Sequence, residues 1–190
     1  MPHIDLQDLP GIRALFAFRP EAGEAISHLA QFLLFSPNSL SRGERELIGA
    51  YVSNANDCFY CATSHGASAA RLLGDDEAVV EQVKCDFETA DISDKLKALI
   101  NIAGKVQRSG KDVTTADVER ARRHGATDIE IHDTVLIAAM FCMANRYVDG
   151  LGTVAPSDLD SYRERAKAVA DHGYMAINQQ IQSNQKAPAD

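Results

Sequence analysis

The chain has 190 residues, 45% of them apolar, which is enough to bury a core as one domain or as two small helical halves without disulfide staples. Its 27 acidic against 19 basic residues leave a formal charge of −8 and no basic block able to track a phosphate backbone, so nucleic acid is not an expected partner. The four cysteines, at 58, 61, 85 and 142, are too few and too unevenly spaced for a disulfide framework.

The first residues carry acids early and lack a basic start followed by a long apolar run, so no signal peptide is predicted and the cytoplasm is the expected compartment. The most apolar later run, Thr134 to Met143, is too short to span a bilayer, and no membrane partner is expected. Residues 1–19 are expected as an arm with a turn of helix at Ile12 to Ala17, where Leu15, Phe16 and Phe18 offer apolar anchors. Pro20 suits the first position of a helix, and Ile26, Leu29, Ala30, Leu33 and Leu34 recur at helical spacing until Ser36-Pro37-Asn38 stops it. His28, alone in that helix, reads as an ordinary hydrogen-bonded residue.

The next helix opens with Ser41-x-x-Glu44, a capping-box pattern that accounts for Glu44. Leu47, Ile48, Tyr51 and Val52 form its buried stripe and leave Glu46 with no role that periodicity explains. Asn54 to Asp57 break the helix, and Asp57 is predicted to N-cap a new one that begins at Cys58 and ends before Gly74. Asp75-Asp76-Glu77 start another, with Val79, Val80 and Val83 inward, fading near Cys85. Ser93 to Ser109 is amphipathic, its Lys and Arg residues read as solvated charges. A short helix capped by Thr114 or Thr115 ends in Arg122-Arg123-His124-Gly125. Thr127-x-x-Glu130 opens the most apolar helix, which runs to about Asp149; Cys142 reads there as a small buried hydrophobe, while Asn145, Arg146 and Asp149 either tie helix ends together or line a site. A last helix is predicted from Ser157 to about Gln180. With no alternating runs, hairpin dipeptides or Gly-rich phosphate loops, the fold class is all-α, of about eight to nine helices. The predicted organisation is an arm at 1–19, a helical domain at 20–182 and a flexible tail at 183–190.

The chemistry concentrates in Ser41 to Leu73. On a helix starting at Cys58, Cys61 and His65 follow at three and then four residues, so all three side chains lie within a sector of roughly sixty degrees. A cysteine at a helix N-terminus becomes more acidic beside unpaired backbone N–H groups, an argument that favours Cys58 as the more acidic thiol. His65 can take a thiol proton, and Glu46 on the preceding helix can orient the imidazole. These parts suit peroxide reduction: a thiolate attacks the O–O bond, becomes a sulfenic acid, and the second cysteine condenses with it to a disulfide that an external reductant reopens.

Glu46, Cys58-Phe59-Tyr60-Cys61 and His65 resemble the E-x11-C-x-x-C-x-x-x-H motif of the alkylhydroperoxidase D (AhpD-like) proteins within the carboxymuconolactone decarboxylase superfamily. With the later NRYVDGLG segment, the similarity is greatest to the uncharacterised peroxidase-related branch and covers roughly residues 10 to 155. The resemblance implies an all-helical fold, a homo-oligomer (trimer or hexamer), no cofactor, and a Glu46–His65 proton relay serving a Cys58/Cys61 pair. Cys61 would then attack and Cys58 resolve, against the helix-terminus argument. Some members carry His where this chain has Tyr60. The rival readings are a zinc site, which lacks a fourth ligand here, a decarboxylase that needs no dithiol, and a non-catalytic redox sensor.

Overall fold

A computed structural model describes residues 1–186, with side chains to Ser183. Among them are nine α-helices and no strand: α1 Ile12–Phe18, α2 Pro20–Phe35, α3 Arg42–Ala55, α4 Phe59–Leu72, α5 Glu77–Asp86, α6 Asp94–Arg108, α7 Thr115–Arg123, α8 Asp128–Gly150 and α9 Leu159–Lys186. Residues 187–190 of the expected tail lie outside the described residues, and the last helix runs further than Gln180.

Local sequence sets the boundaries. Complete capping boxes start α3 at Ser41 and Glu44, α7 at Thr114 and Asp117, and α8 at Thr127 and Glu130. Asp76 and Ser93 cap α5 and α6 through their side-chain oxygens. The apolar stripes then bury one main core, centred on Leu33 and Leu34 of α2, Leu47 and Ile48 of α3, Leu99 and Ile100 of α6, and Ile137 and Phe141 of α8. Helices α3 and α4 form a close antiparallel pair. Gly43 permits it, since a Cβ there would meet the Leu73 side chain at 2.7 Å.

Two lysines of α6 are not solvated as expected. Lys95 pairs with buried Glu130 at 2.8 Å and Lys105 with Asp117 at 2.7 Å, clamping α6 to the N-termini of α8 and α7. Both carboxylates are capping-box residues, so each salt bridge also completes a helix cap. The Lys105 ammonium holds the Asp117 carboxyl well below the usual carboxylate range.

A second, smaller core lies beside the first: Leu15, Cys58, Tyr60, Cys61, Val148 and Tyr162 pack together from α1, α4, α8 and α9. Leu15 is fully buried there, so the helix within residues 1–19 contributes to the same small core as the cysteine pair.

Candidate active site

Cys58 and Cys61 are positioned by the turn between α3 and α4. Asn56 ends α3, Asp57 adopts left-handed backbone (φ 56°), and the chain closes with Asp57 N–H donating to the Asn54 carbonyl (3.0 Å) and Cys58 N–H to the Ser53 carbonyl (3.1 Å). This is a Schellman closure with aspartate where glycine is usual, a substitution its short polar side chain tolerates. Asp57 therefore terminates α3. The predicted N-cap role falls to Cys58, whose extended backbone (φ −85°, ψ 93°) precedes α4. Cys61 sits in the first turn and His65 one turn later.

Both thiols are reduced and nearly sealed from solvent, Cys58 at 1% and Cys61 at 3% exposure. They are unequal. The Cys58 thiol donates to the Cys61 sulfur, which pushes the Cys58 pKa far up, with burial adding to the effect. That same hydrogen bond lowers the Cys61 pKa; the Asn145 amide and the Arg165 charge add to it, against burial and Asp149. The helix terminus, which favours Cys58, acts the other way.

Behind the cysteines, Glu46 is 0% exposed on α3. Its Oε2 lies 2.7 Å from His65 Nδ1, and its Oε1 accepts from the Tyr174 hydroxyl at 2.6 Å. Tyr174 also lies 3.2 Å from His65 Nδ1, and burial followed by the Glu46 charge pushes its pKa well above the ordinary value, so it stays a donor. Opposite a carboxylate oxygen, Nδ1 carries the imidazole proton and Nε2 is left as an acceptor. Phe141 meets His65 edge-on at 4.5 Å, in space that exists because residue 49 is glycine; a Cβ there would stand 2.4 Å from the Phe141 ring.

The structure thus brings Glu46 and His65 into one hydrogen-bonded group, with Cys58 and Cys61 in a second contact at the start of the same α4 helix. It adds residues that the sequence motif does not contain. Tyr174 and Arg165 come from α9, and Asn145 from α8. Asn145 is buried, donates to Ser53 Oγ (3.1 Å) and accepts from the Asn56 amide (2.8 Å). Cys142 packs against the main core as expected, though only half-buried, and Asn56 also approaches its Sγ at 3.6 Å. Arg146 instead faces solvent, and Cys85 is exposed. The helical spacing of Asn145 with Asp149 was the available signal for the first of these; nothing local marks Tyr174 or Arg165.

A cavity of about 600 Å³ opens beside the pair, with Cys58, and not Cys61, on its wall. Its lining is largely apolar, from Phe59, Ala62, Val80, Leu159 and Tyr162, and its cations Lys84 and Arg163 are each paired, with Glu81 (2.8 Å) and Glu77 (2.9 Å). Among the described residues no group of three or more His, Cys, Asp or Glu side chains could hold a metal ion.

Residues 20–84 match the Carboxymuconolactone decarboxylase family. An uncharacterized peroxidase-related protein from Ralstonia eutropha JMP134, solved as an alkylhydroperoxidase AhpD core, is 31% identical. The match covers 82% of each chain, with a TM-score of 0.73. The chain belongs to the AhpD-like family of the carboxymuconolactone decarboxylase superfamily. A second uncharacterized peroxidase-related protein, from Silicibacter sp. TM1040, is 28% identical over 83% of this AhpD-like chain and 80% of its own, with a TM-score of 0.74. A protein of unknown function from Agrobacterium tumefaciens shares the AhpD-like fold at 20% identity, over 83% of this chain and 100% of its own, with a TM-score of 0.66. A comparison with curated proteins gives no match. No helix among the described residues is long and apolar enough to cross a membrane.

Proposed function

We propose that this AhpD-like protein is a thiol-dependent peroxidase of antioxidant defence, acting through Cys58 and Cys61 with a Glu46–His65 proton relay. The observation that carries the reading is the placement of two thiols in contact at the start of α4, the helix that also presents His65 with its Nδ1 2.7 Å from Glu46 Oε2. His65 Nε2 takes the Cys61 proton and Glu46 stabilises the resulting imidazolium. The Cys61 thiolate attacks a peroxide oxygen; the S–O bond forms as the O–O bond breaks, and the leaving oxygen recovers the proton from His65. Cys58 then attacks the sulfenic sulfur, water departs, and a disulfide forms.

Reduction runs the other way through the cavity. A thiolate entering it meets Cys58, and attack there expels Cys61, the better leaving group because its pKa is lower. The reductant is an external thiol or dithiol, and the reading carries with it a cytoplasmic homo-oligomer.

The test is turnover. Purified protein with dithiothreitol as reductant is expected to consume hydrogen peroxide or an alkyl hydroperoxide catalytically, and Cys61→Ser to abolish this. Peroxide consumption no faster than dithiothreitol alone would leave the sensor reading in place, and a decarboxylase would survive Cys61→Ser.

A further inference from the structure

Tyr174 follows Glu46 by 128 positions and lies far outside the motif, yet its hydroxyl touches both Glu46 and His65. It donates to Glu46 Oε1 at 2.6 Å, and its oxygen lies 3.2 Å from His65 Nδ1, which in turn lies 2.7 Å from Glu46 Oε2. The three polar groups, from α3, α4 and α9, thus close a ring in which each touches the other two. The Tyr174 side chain is buried and held on two sides, edge-on by Phe35 (ring centroids 5.8 Å apart) and stacked against the His65 imidazole (6.0 Å, 22° between planes). A tyrosine has one hydroxyl proton, and at 2.6 Å from a carboxylate it goes to Oε1. The hydroxyl oxygen is then an acceptor toward His65, and the Nδ1 proton faces two oxygens. Without the tyrosine, Glu46 would keep a buried oxygen with no donor, and its carboxylate would be free to turn about its last torsion.

We propose that Tyr174 is a positioning residue of the relay: by engaging Glu46 Oε1 it turns Oε2 onto His65 Nδ1, and by offering its own oxygen to the same Nδ1 proton it keeps that proton in place and leaves Nε2 open. This rests on the peroxidase reading, in which His65 moves one proton twice. The proton passes from the Cys61 thiol to Nε2 and then from Nε2 to the oxygen that departs. Both transfers require Nε2 to be unprotonated at rest, and in the other neutral tautomer that nitrogen already carries the proton. The ring opposes the other tautomer. With the proton on Nε2, Oε2 would face the Nδ1 lone pair, and the tyrosine could satisfy Nδ1 only by abandoning Oε1. Tyr174 acts through Glu46 and His65 alone, and its own placement is fixed by Phe35 and by the Gln31 side chain, which accepts its backbone N–H at 2.8 Å.

The experiment has two readouts on prereduced protein. The first is the nitrogen NMR spectrum of protein labelled in its histidine rings, with the His65 signals identified by their loss in His65→Gln; it reports the tautomer without any turnover. Wild type is expected to hold the proton on Nδ1, and Tyr174→Phe to show a substantial share of the Nε2–H form. The second is the single-turnover rate of Cys61 oxidation by hydrogen peroxide in wild type, Tyr174→Phe, Glu46→Gln and the double variant. Tyr174→Phe is expected to lower that rate about tenfold in the parent but less than about twofold when residue 46 is already changed, because it acts through the carboxylate. A fall of the same size in both backgrounds overturns the proposal, as does a wild-type tautomer in Tyr174→Phe. Gln31→Ala keeps the hydroxyl but frees the backbone that aims it. It is expected to change both readouts in the same direction by less, and it carries the test should Tyr174→Phe fail to fold. A wild type whose Cys61 does not react with peroxide overturns the peroxidase reading, while the tautomer comparison still decides the role of Tyr174.

Discussion

Glu46 has both carboxylate oxygens engaged, one by His65 and one by Tyr174, in a fully buried site. Glu46→Gln keeps the shape but puts an amide where an acceptor is needed, so the imidazole loses its enforced tautomer. The rate of Cys61 oxidation by peroxide is expected to fall roughly a hundredfold by stopped-flow, with the helical circular dichroism unchanged. An unaltered rate would remove Glu46 from the relay. The cysteines make a second prediction. Because the Cys58 hydrogen bond is the largest influence lowering the Cys61 pKa, Cys58→Ala should shift the pH midpoint of Cys61 alkylation upward, whereas Cys58→Ser, which keeps a donor, should shift it less. A shift of the same size in both would mean that the hydrogen bond is not the cause. The four motif residues were legible in the sequence because capping explained their neighbours Ser41 and Glu44 and left Glu46, Cys58, Cys61 and His65 unexplained. How the two thiols act on each other was not legible, because it depends on a side-chain contact and not on helix position alone.

At the scale of elements, α9 was read as a plain closing helix, yet it completes the site. It is interrupted at Gly173 (φ 75°, ψ 180°), a conformation essentially confined to glycine, and the Gln31 side chain of α2 takes up the freed Tyr174 N–H at 2.8 Å. A Cβ at residue 173 would lie 2.5 Å from the Gln31 carboxamide oxygen. The break and the cap together aim Tyr174 at Glu46. Gly173→Ala is accordingly expected to cost about 1–3 kcal/mol in urea unfolding, and to slow Cys61 oxidation by displacing Tyr174. A variant with parental stability and rate would show that the break does not position the tyrosine. A glycine inside a helical pattern is tolerated often enough that Gly173 gave no local warning. The capping boxes, by contrast, are contiguous in sequence, so the starts of α3 and α8 were legible to the residue.

For the whole molecule, the period of the apolar residues was sufficient to predict an all-helical fold, and the motif was sufficient to point to the AhpD-like family. What the sequence withheld is long-range: Lys95 with Glu130, Lys105 with Asp117, Asn145 with Ser53, and the approach of Tyr174 and Arg165 to a site more than ninety positions earlier. Each joins elements whose relative placement follows only from packing. The resulting body has its larger core between α2, α3, α6 and α8, and a smaller one in which the cysteines are nearly sealed. The cavity reaches Cys58, and Cys61 is not on its wall. The most direct measurement is a free-thiol titration of the reduced protein, whose four cysteines are all unpaired, before and after one equivalent of hydrogen peroxide. Cys58→Ser and Cys61→Ser are titrated alongside. Wild type is expected to lose two thiols rapidly, Cys58→Ser one, and Cys61→Ser none on that timescale. If wild type keeps all four thiols, or if both variants react as fast as wild type, the dithiol is not the peroxide-reducing centre.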